Sequence, residues 1–92
     1  MEASDSLELR VFEDLTSKKG LYLTDGLKFG ADFLAYEGDP LLYHAKFLVK
    51  LCSPVISAQD LIVYERMANT NKKVLLLAYE QGGSLEYLEV AY

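Results

Sequence analysis

Two segments of the chain repeat apolar residues at the spacing of an α-helix. The apolar positions of the first segment lie four residues apart: Leu7, Val11 and Leu15. They predict a helix over residues 5–19. In the second segment, the positions that share one helical face are Leu61, Tyr64 and Ala68. The polar run before them, from Ser57 to Asp60, is typical of the first turn of a helix.

Five shorter segments have the pattern of β-strands: residues 21–24, 33–36, 44–51, 74–79 and 85–92. The third alternates, with His44, Lys46 and Lys50 on one parity and apolar residues on the other, which predicts one buried face. The fourth is apolar on both parities, as is typical of a strand covered on both faces. The fifth is also apolar on both parities, so we expect a partner for it.

The order of these elements predicts a small α/β domain. One helix is followed by three strands, a second helix and two strands. This order favours a single mixed, mostly antiparallel sheet of about five strands with two helices packed against it. A chain of 92 residues has the length of one domain, and no repeat or linker divides residues 1–92.

The cysteine content, the N-terminus and the hydropathy indicate in which cellular compartment the protein is found. Cys52 is the only cysteine, so an internal disulfide is impossible and a reducing compartment is favoured. The first five residues are polar and acidic, unlike a secretory signal. The longest apolar run, residues 74–78, is far shorter than the ~20 residues of a membrane span. We therefore expect an intracellular protein without a membrane partner.

The most distinctive motifs lie in two stretches of the chain. Residues 21–49 read LYLTDGLKFGADFLAYEGDPLLYHAKFLV and contain the only histidine, His44, eight residues after Tyr36. Residues 66–79 read RMANTNKKVLLLAY and contain Lys73. Together these motifs resemble the catalytic C-terminal domain of the tRNA-splicing (tRNA-intron) endonucleases. Each piece alone is weak, whereas the combination is specific.

A tyrosine, a histidine and a lysine can together cleave RNA without a metal ion. The 2′-hydroxyl is the nucleophile, so an enzyme supplies a base for its proton, an acid for the departing 5′-oxygen and positive charge at the phosphate. The resemblance implies that Tyr36 is the general base, His44 the general acid and Lys73 the transition-state stabiliser. It also implies 2′,3′-cyclic phosphate and 5′-hydroxyl ends, with no cofactor and no metal.

The charge balance indicates that a second chain takes part. Nine basic residues against 14 acidic ones give a net charge of −5, which is the wrong sign for gripping nucleic acid alone. Either RNA is not the ligand or another chain supplies the basic surface, and we favour the second interpretation. The family grips a flipped-out nucleotide between two arginines. Arg66 matches one of them, and Lys72 is a further candidate RNA contact. No basic residue follows Lys73, so either recognition is looser than in the family or another chain supplies the second arginine.

The resemblance further implies an assembly. Members of the family pair their last strands, and an acidic loop before that strand enters a neighbouring subunit. Glu80 is the candidate for this loop contact. We expect a homo- or hetero-oligomer that includes a structural subunit, forms through the C-terminal strand and the acidic loop, and acts on precursor tRNA with a bulge–helix–bulge, not on DNA.

Two departures from the family pattern leave alternatives open. The usual N-terminal domain is missing from residues 1–92, which also fits a fragment or a split form of a longer enzyme. The missing basic tail and the missing N-terminal domain both fit a non-catalytic assembly subunit, although retention of Tyr36, His44 and Lys73 favours the enzyme. The compartment would be the cytoplasm in an archaeon and the nucleus in a eukaryote.

Overall fold

A five-stranded mixed β-sheet lies between two helices in the computed structural model, which describes the backbone of residues 3–90 and the side chains of residues 7–90. In chain order its elements are α1 (Ala3–Glu13), β1 (Tyr22–Asp25), β2 (Phe33–Tyr36), β3 (Phe47–Leu51), α2 (Ala58–Thr70), β4 (Val74–Gln81) and β5 (Ser84–Val90). A π-helical turn, Asp14–Lys18, continues α1, and a 3₁₀ turn, Leu27–Phe29, leads into β2. The predicted fold class is confirmed.

The strands lie in the sheet in chain order, from β1 to β5. Neighbouring strands are antiparallel except β3 and β4. These two are parallel because α2 carries the chain back along the sheet between them. Within the described part of the chain, β1 and β5 are therefore the edge strands.

Each helix covers one face of the sheet. The buried residues on the α1 face are Val11, Leu15, Ala35, Phe47, Val49, Leu76 and Ala78. The buried residues on the α2 face are Ala31, Leu34, Leu48, Ala68, Leu75 and Leu77. Because neighbours along a strand alternate between the two sets, β3 and β4 are buried on both faces. The two-sided burial predicted for the fourth strand is confirmed.

Two expectations for the third strand are wrong. It begins at Phe47 rather than at His44, because the chain reaches the sheet only at Lys46. It also buries both faces, since Leu48, which has the parity of the polar residues, is only 1% exposed. The alternation of polar and apolar residues led to a wrong prediction because β3 is the central strand and is covered on both faces. Lys50 can still be polar because it lies next to the end of β3, where a long side chain reaches solvent more easily.

Local capping explains where α2 begins. Ser57 has an extended backbone, and its hydroxyl oxygen accepts a hydrogen bond from the Asp60 N–H at 3.1 Å. This bond satisfies one of the free N–H groups of the first helical turn, and the predicted helix start is confirmed. The helix predicted over residues 5–19 corresponds to α1 and its π-helical turn, which run from Ala3 to Lys18. No described helix combines the length and apolar character that crossing a membrane requires.

A two-residue turn joins β4 to β5. Gly82 and Gly83 have φ angles of +60° and +82°, the conformation of a type I′ turn, which glycine adopts without steric cost. The last strand was predicted over residues 85–92. It begins one residue earlier, at Ser84, and residues 91 and 92 lie outside the described part of the chain.

The two faces of β5 are buried unequally. Leu85 and Tyr87 pack against the α1-face cluster, and Val90 packs against the α2-face cluster. The apolar residues on the two parities of β5 thus pack on the two faces of the sheet. Leu88, however, is 50% exposed, so part of an apolar edge strand faces solvent.

Tyr87 ties β5 to the end of α1. Its hydroxyl donates to Asp14 Oδ2 at 2.6 Å, and the ammonium of Lys19 lies 5.5 Å from its ring centroid. Burial of the side chain, followed by the bond to the Asp14 carboxylate, raises the pKa of Tyr87 well above its usual range. The folded protein therefore keeps this phenol protonated at pH values where the unfolded chain loses the proton.

Removing this hydroxyl is expected to make stability less sensitive to alkaline pH. Tyr87→Phe should lower the free energy of unfolding by about 1 kcal/mol at pH 7, because a hydrogen bond to a carboxylate is lost. As the pH rises above about 10, the unfolded tyrosine releases its proton before the folded one, so this contribution fades and the two proteins converge. Urea unfolding at pH 7 and pH 11 measures the difference.

Tyr22→Phe is the control, since it removes a hydroxyl from the exposed edge strand β1. It should leave the pH dependence of the wild type unchanged. If Tyr87→Phe and the wild type differed in free energy of unfolding by the same amount at pH 7 and at pH 11, the predicted dependence of this contribution on the ionisation of Tyr87 would be wrong.

Candidate active site

One end of the sheet brings β2, β3 and β4 together. β2 finishes there at Tyr36, whereas β3 and β4 begin there. The ladder pairs Phe47 with Ala35 on one side and with Val74 on the other. Just beyond, the Lys46 N–H donates to the Ala35 carbonyl and the Lys46 carbonyl accepts from the Val74 N–H, each at 2.9 Å. We call these two bonds the β2–β3–β4 junction.

The junction places Tyr36 and Lys73 on the same face of the sheet. Tyr36 follows Ala35 and Lys73 precedes Val74, so each lies one residue from a junction bond. The side chain of Tyr36 packs against the α2-face cluster. Lys73 has the strand parity of Leu75, which belongs to the same cluster. Both residues are partly buried.

A hydrogen bond links Lys73 to the loop that carries His44. The ammonium of Lys73 donates to the carbonyl of Ala45 at 3.2 Å, across 28 residues of sequence. Because Ala45 follows His44 directly, this bond holds the backbone of the histidine near the lysine. The structure thus brings the three residues predicted to be catalytic, Tyr36, His44 and Lys73, to one end of the sheet.

The hydroxyl of Tyr36 has one neighbour in the sheet. Thr24 Oγ1 donates to the phenol oxygen at 3.4 Å, which is long for a bond between two hydroxyl groups. The phenol oxygen of Tyr36 is the acceptor in this contact, and the hydroxyl of Thr24 is the donor. Sequence reasoning did not identify Thr24, although its place in a strand that pairs with β2 follows from the hairpin pattern of residues 21–36.

Turn chemistry at Asp39 fixes the loop before His44. The Asp39 carboxylate accepts from the Leu41 N–H at 2.9 Å, and its carbonyl accepts from the N–H groups of Leu42 and Tyr43 at 2.8 and 3.0 Å. An aspartate that bonds the backbone two residues later is a common way to set a turn. His44 follows this turn directly and is exposed.

An ion pair closes the same loop at its base. Lys46 Nζ lies 3.1 Å from Glu37 Oε2. Both side chains are about half exposed, so the pair contributes little to stability, but it restricts the two ends of the segment that carries His44. Sequence analysis placed Lys46 only on a polar strand face and did not predict this pair.

The end of α2 sets the position of Lys73. The Lys73 N–H donates to the Ala68 carbonyl at 2.8 Å and the Lys72 N–H donates to the Asn69 carbonyl at 3.0 Å. These two bonds form a Schellman motif, in which the residue after the helix end adopts a left-handed conformation. Lys72 occupies that place with φ of 56°, where glycine is usual. Only three residues, Asn71 to Lys73, therefore separate the end of α2 from the start of β4.

Comparison with known proteins identifies the family. The family described as tRNA intron endonuclease, catalytic C-terminal domain, matches residues 6–87 of this chain. The chain belongs to this family. The match includes all three residues at the β2–β3–β4 junction end of the sheet.

Three relatives illustrate the extent of the similarity. Human tRNA-splicing endonuclease subunit Sen34 is 38% identical over 77 residues, which are 82% of this chain and 24% of that protein. The tRNA-splicing endonuclease of Methanopyrus kandleri is 34% identical over 70 residues, and that of Saccharolobus islandicus is 37% identical over 71 residues. Those two matches cover 74% and 75% of this chain and 38% of each relative. The chain thus spans about a quarter to two fifths of the length of these relatives.

In this tRNA intron endonuclease domain, the two predicted RNA contacts lie on the segment that leads into β4. Arg66 is exposed on α2, four residues before the helix end, which is about 6 Å along the helix axis. Lys72 is exposed in the turn that follows. Both side chains reach solvent at the end of α2 that adjoins Lys73.

Glu80, the candidate for the assembly contact, lies at the opposite end of β4 from Lys73, roughly 20 Å away along an extended strand. It belongs to the strand and precedes the tight turn at Gly82 and Gly83. Its carboxylate pairs with the guanidinium of Arg10, which also donates to the Gly83 carbonyl at 3.2 Å. An intermolecular contact by Glu80 would therefore have to exchange this pair.

The described side chains contain no cluster of three histidine, cysteine or acidic residues that could hold a metal ion. Burial raises the pKa of the Cys52 thiol, partly offset by Lys50, which disfavours the thiolate that a cysteine nucleophile requires.

The left-handed conformation at Lys72 yields a stability prediction. Lys72→Gly should raise the free energy of unfolding by about 1 kcal/mol, because glycine adopts this φ without the clash of a Cβ atom. Lys72→Ala is the matched control, since it removes the ammonium and keeps the Cβ atom. Urea unfolding of both variants measures the effect, and an equal gain in both would show that charge rather than conformation is responsible.

Proposed function

We propose that this chain is the catalytic part of a tRNA-splicing endonuclease that cleaves precursor tRNA at exon–intron junctions. The observation that carries the proposal is the convergence of Tyr36, His44 and Lys73 on one end of the sheet, with Lys73 bonded to the loop of His44. The family and the names of the relatives support the choice of RNA as the substrate.

The proposed reaction is an internal transfer within the RNA. The 2′-oxygen attacks the adjacent phosphorus, the bond from phosphorus to the 5′-oxygen breaks, and the products carry a 2′,3′-cyclic phosphate and a 5′-hydroxyl. Tyr36, as the phenolate, receives the proton of the 2′-hydroxyl, and His44, as the imidazolium, gives a proton to the departing 5′-oxygen, so the step leaves a phenol and a neutral imidazole. The exposed position of His44 suits a proton donor that has to reach a bond in a large substrate.

Lys73 has the geometry for two contacts at once. Its ammonium carries three N–H donors, of which one is used by the Ala45 carbonyl. Another can face a non-bridging oxygen of the phosphate, whose negative charge increases as the reaction proceeds. We propose that Lys73 stabilises this charge while it holds the His44 loop in place, and that no metal ion is needed.

Binding of the RNA is proposed to involve Arg66 and Lys72 together with another chain. Both side chains are exposed next to the segment that leads into β4. The net charge of −5 means that the rest of the domain repels phosphate. A partner with a basic surface would supply most of the remaining affinity, as well as the second arginine of the nucleotide clamp.

Replacing the acid or the base is expected to stop cleavage. In the assembly that contains this chain, with an intron-containing precursor tRNA and EDTA, His44→Ala and Tyr36→Phe should each lower the cleavage rate roughly 10²- to 10⁴-fold. Rates from single-turnover cleavage and analysis of the RNA ends provide the measurement. Tyr79→Phe, near the far end of β4, is the control and should keep the wild-type rate.

The cleavage rates of these variants also distinguish a catalytic chain from a non-catalytic assembly subunit. Cleavage that persists in His44→Ala, or that requires Mg²⁺, would contradict the proposed chemistry. If cleavage then depended on this chain but not on its three residues, the chain would be the non-catalytic assembly subunit, a function that the apolar edge strand β5 favours.

The edge strand β5 supports an oligomer formed through this strand and Glu80. An edge strand presents unpaired N–H and carbonyl groups that a second chain can pair with, and Leu88 on this strand is 50% exposed. Another copy of the domain or a structural subunit could complete the sheet. The acidic residue Glu80 lies four residues before the start of β5, close to the same edge.

Charging this edge is expected to dissociate the oligomer. In light scattering, the wild type should have a mass of at least twice the 10.3 kDa of one chain, and Leu88→Lys should reduce it while the circular dichroism spectrum stays the same. Val63→Lys, on an exposed position of α2, is the control and should not change the mass. A 10.3 kDa wild type at high concentration, with no complex formed on adding partner subunits, would contradict the proposal.

A further inference from the structure

Tyr43, the residue before His44, presents an aromatic ring to solvent beside the β2–β3–β4 junction. It is 55% exposed, although a large aromatic side chain usually buries most of its surface. Its backbone is nevertheless fixed, since its N–H donates to the Asp39 carbonyl at 3.0 Å. The exposed ring therefore lies on an ordered turn.

Gly38 supports one face of this ring. A Cβ atom on Gly38 would overlap with Cε1 of Tyr43 and lie 2.6 and 2.8 Å from the two ring carbons beside it. An approach to Cε1 within the plane of the ring would leave these two carbons clearly farther away, so the short distances place Gly38 against the face of the ring rather than at its edge. Because one face is covered and Tyr43 is still 55% exposed, solvent reaches the opposite face.

The surroundings of the ring combine apolar surface with positive charge. Leu41 and Leu42, in the same turn, are 91% and 80% exposed. Lys46 closes the loop at its base, and Lys73 is bonded to the loop two residues after Tyr43. An exposed aromatic face at the same end of a domain as lysine side chains is a combination with which proteins bind unpaired nucleotides, the base by stacking and the phosphate by charge.

We propose that the free face of Tyr43 stacks on an unpaired base of the RNA next to the scissile phosphate. The inference rests on the proposed function and identifies a substrate-positioning residue for it. Tyr43 precedes His44 directly in the same turn, so we expect a base stacked on Tyr43 to belong to a nucleotide near the bond on which His44 acts. Stacking there would hold the scissile phosphate against His44 and Lys73.

A double-mutant cycle between protein and RNA tests this contact. The RNA is a precursor tRNA with a 2′-deoxy nucleotide at the cleavage site, which removes the nucleophile so that binding is measured alone. Each flanking nucleotide is replaced in turn by an abasic one. With the intact RNA, Tyr43→Ala in the active assembly should weaken binding roughly 5- to 100-fold, as expected for one stacked base. With the RNA that lacks the stacked base, Tyr43→Ala should cause no further loss of affinity, because the base that the ring contacts is already missing.

Two further variants separate stacking from other roles of the side chain. Tyr43→Phe keeps the aromatic face and should bind the RNA like the wild type. Gly38→Ala keeps Tyr43 but forces its exposed ring away from the present position, so it should reproduce the loss of Tyr43→Ala. Both variants should keep the thermal stability of the wild type to within a few degrees, since the ring can move into solvent.

The outcomes distinguish this inference from the proposed function. Wild-type binding by Tyr43→Ala, or a loss of the same size with intact RNA and with each abasic RNA, would overturn the stacking contact and leave the proposed function standing. Dissociation of the assembly by Tyr43→Ala, seen by light scattering, would instead make the ring a protein contact and also overturn it. Failure of the wild-type assembly to bind and cleave any precursor tRNA would overturn both proposals.

Discussion

Two backbone hydrogen bonds of Lys46 determine the arrangement of the candidate site. They join β3 to the end of β2 on one side and to the start of β4 on the other, each at 2.9 Å. A slip of one residue in either pairing would turn Tyr36 or Lys73 to the opposite face of the sheet, because side chains alternate along a strand. The pairing register of these strands is fixed by the apolar residues on both faces of β3 and β4. A shifted register would move some of these side chains from the core into solvent, which costs free energy. The site thus depends on the same packing that stabilises the domain.

Sequence patterns predicted the elements well where burial alone decides the structure. The stripes of both helices and the two-sided burial of β4 follow from the positions of apolar residues, and the family motif locates Tyr36, His44 and Lys73. The start of β3 was misassigned because His44, Lys46 and Lys50 alternate as they would on an exposed strand face. The run Gly38–Asp39–Pro40 carried the opposing signal, since Asp39 sets a turn through its own carboxylate. Burial of both faces of β3 could not be predicted, because it depends on the strand order.

The contacts that position the site lie beyond sequence reasoning for a different reason. The bond between Lys73 and the Ala45 carbonyl spans 28 residues and involves a backbone oxygen, for which no residue type is required at position 45. The packing of Tyr43 on Gly38 likewise has no pattern, although a glycine that leaves room for a ring is understandable once the loop is known. Lys46, Lys72 and Lys73 also lie at this end of the domain, although the domain as a whole is acidic. An RNA held there would be attracted locally and repelled elsewhere, so its orientation as well as its affinity would depend on ionic strength.

The short connection from α2 to β4 restricts how the length of this chain can change. Only Asn71, Lys72 and Lys73 separate the end of α2 from the start of β4, and the N–H group of each is bonded to a carbonyl of the helix, so none is free to absorb an insertion or a deletion. A change of one residue there would rotate Lys73 about the helix axis and shift β4 against β3. The segment from Cys52 to Ser57, which has neither helix nor strand, can vary in length without this effect. Natural length variation around α2 should therefore accumulate before the helix and be absent after it.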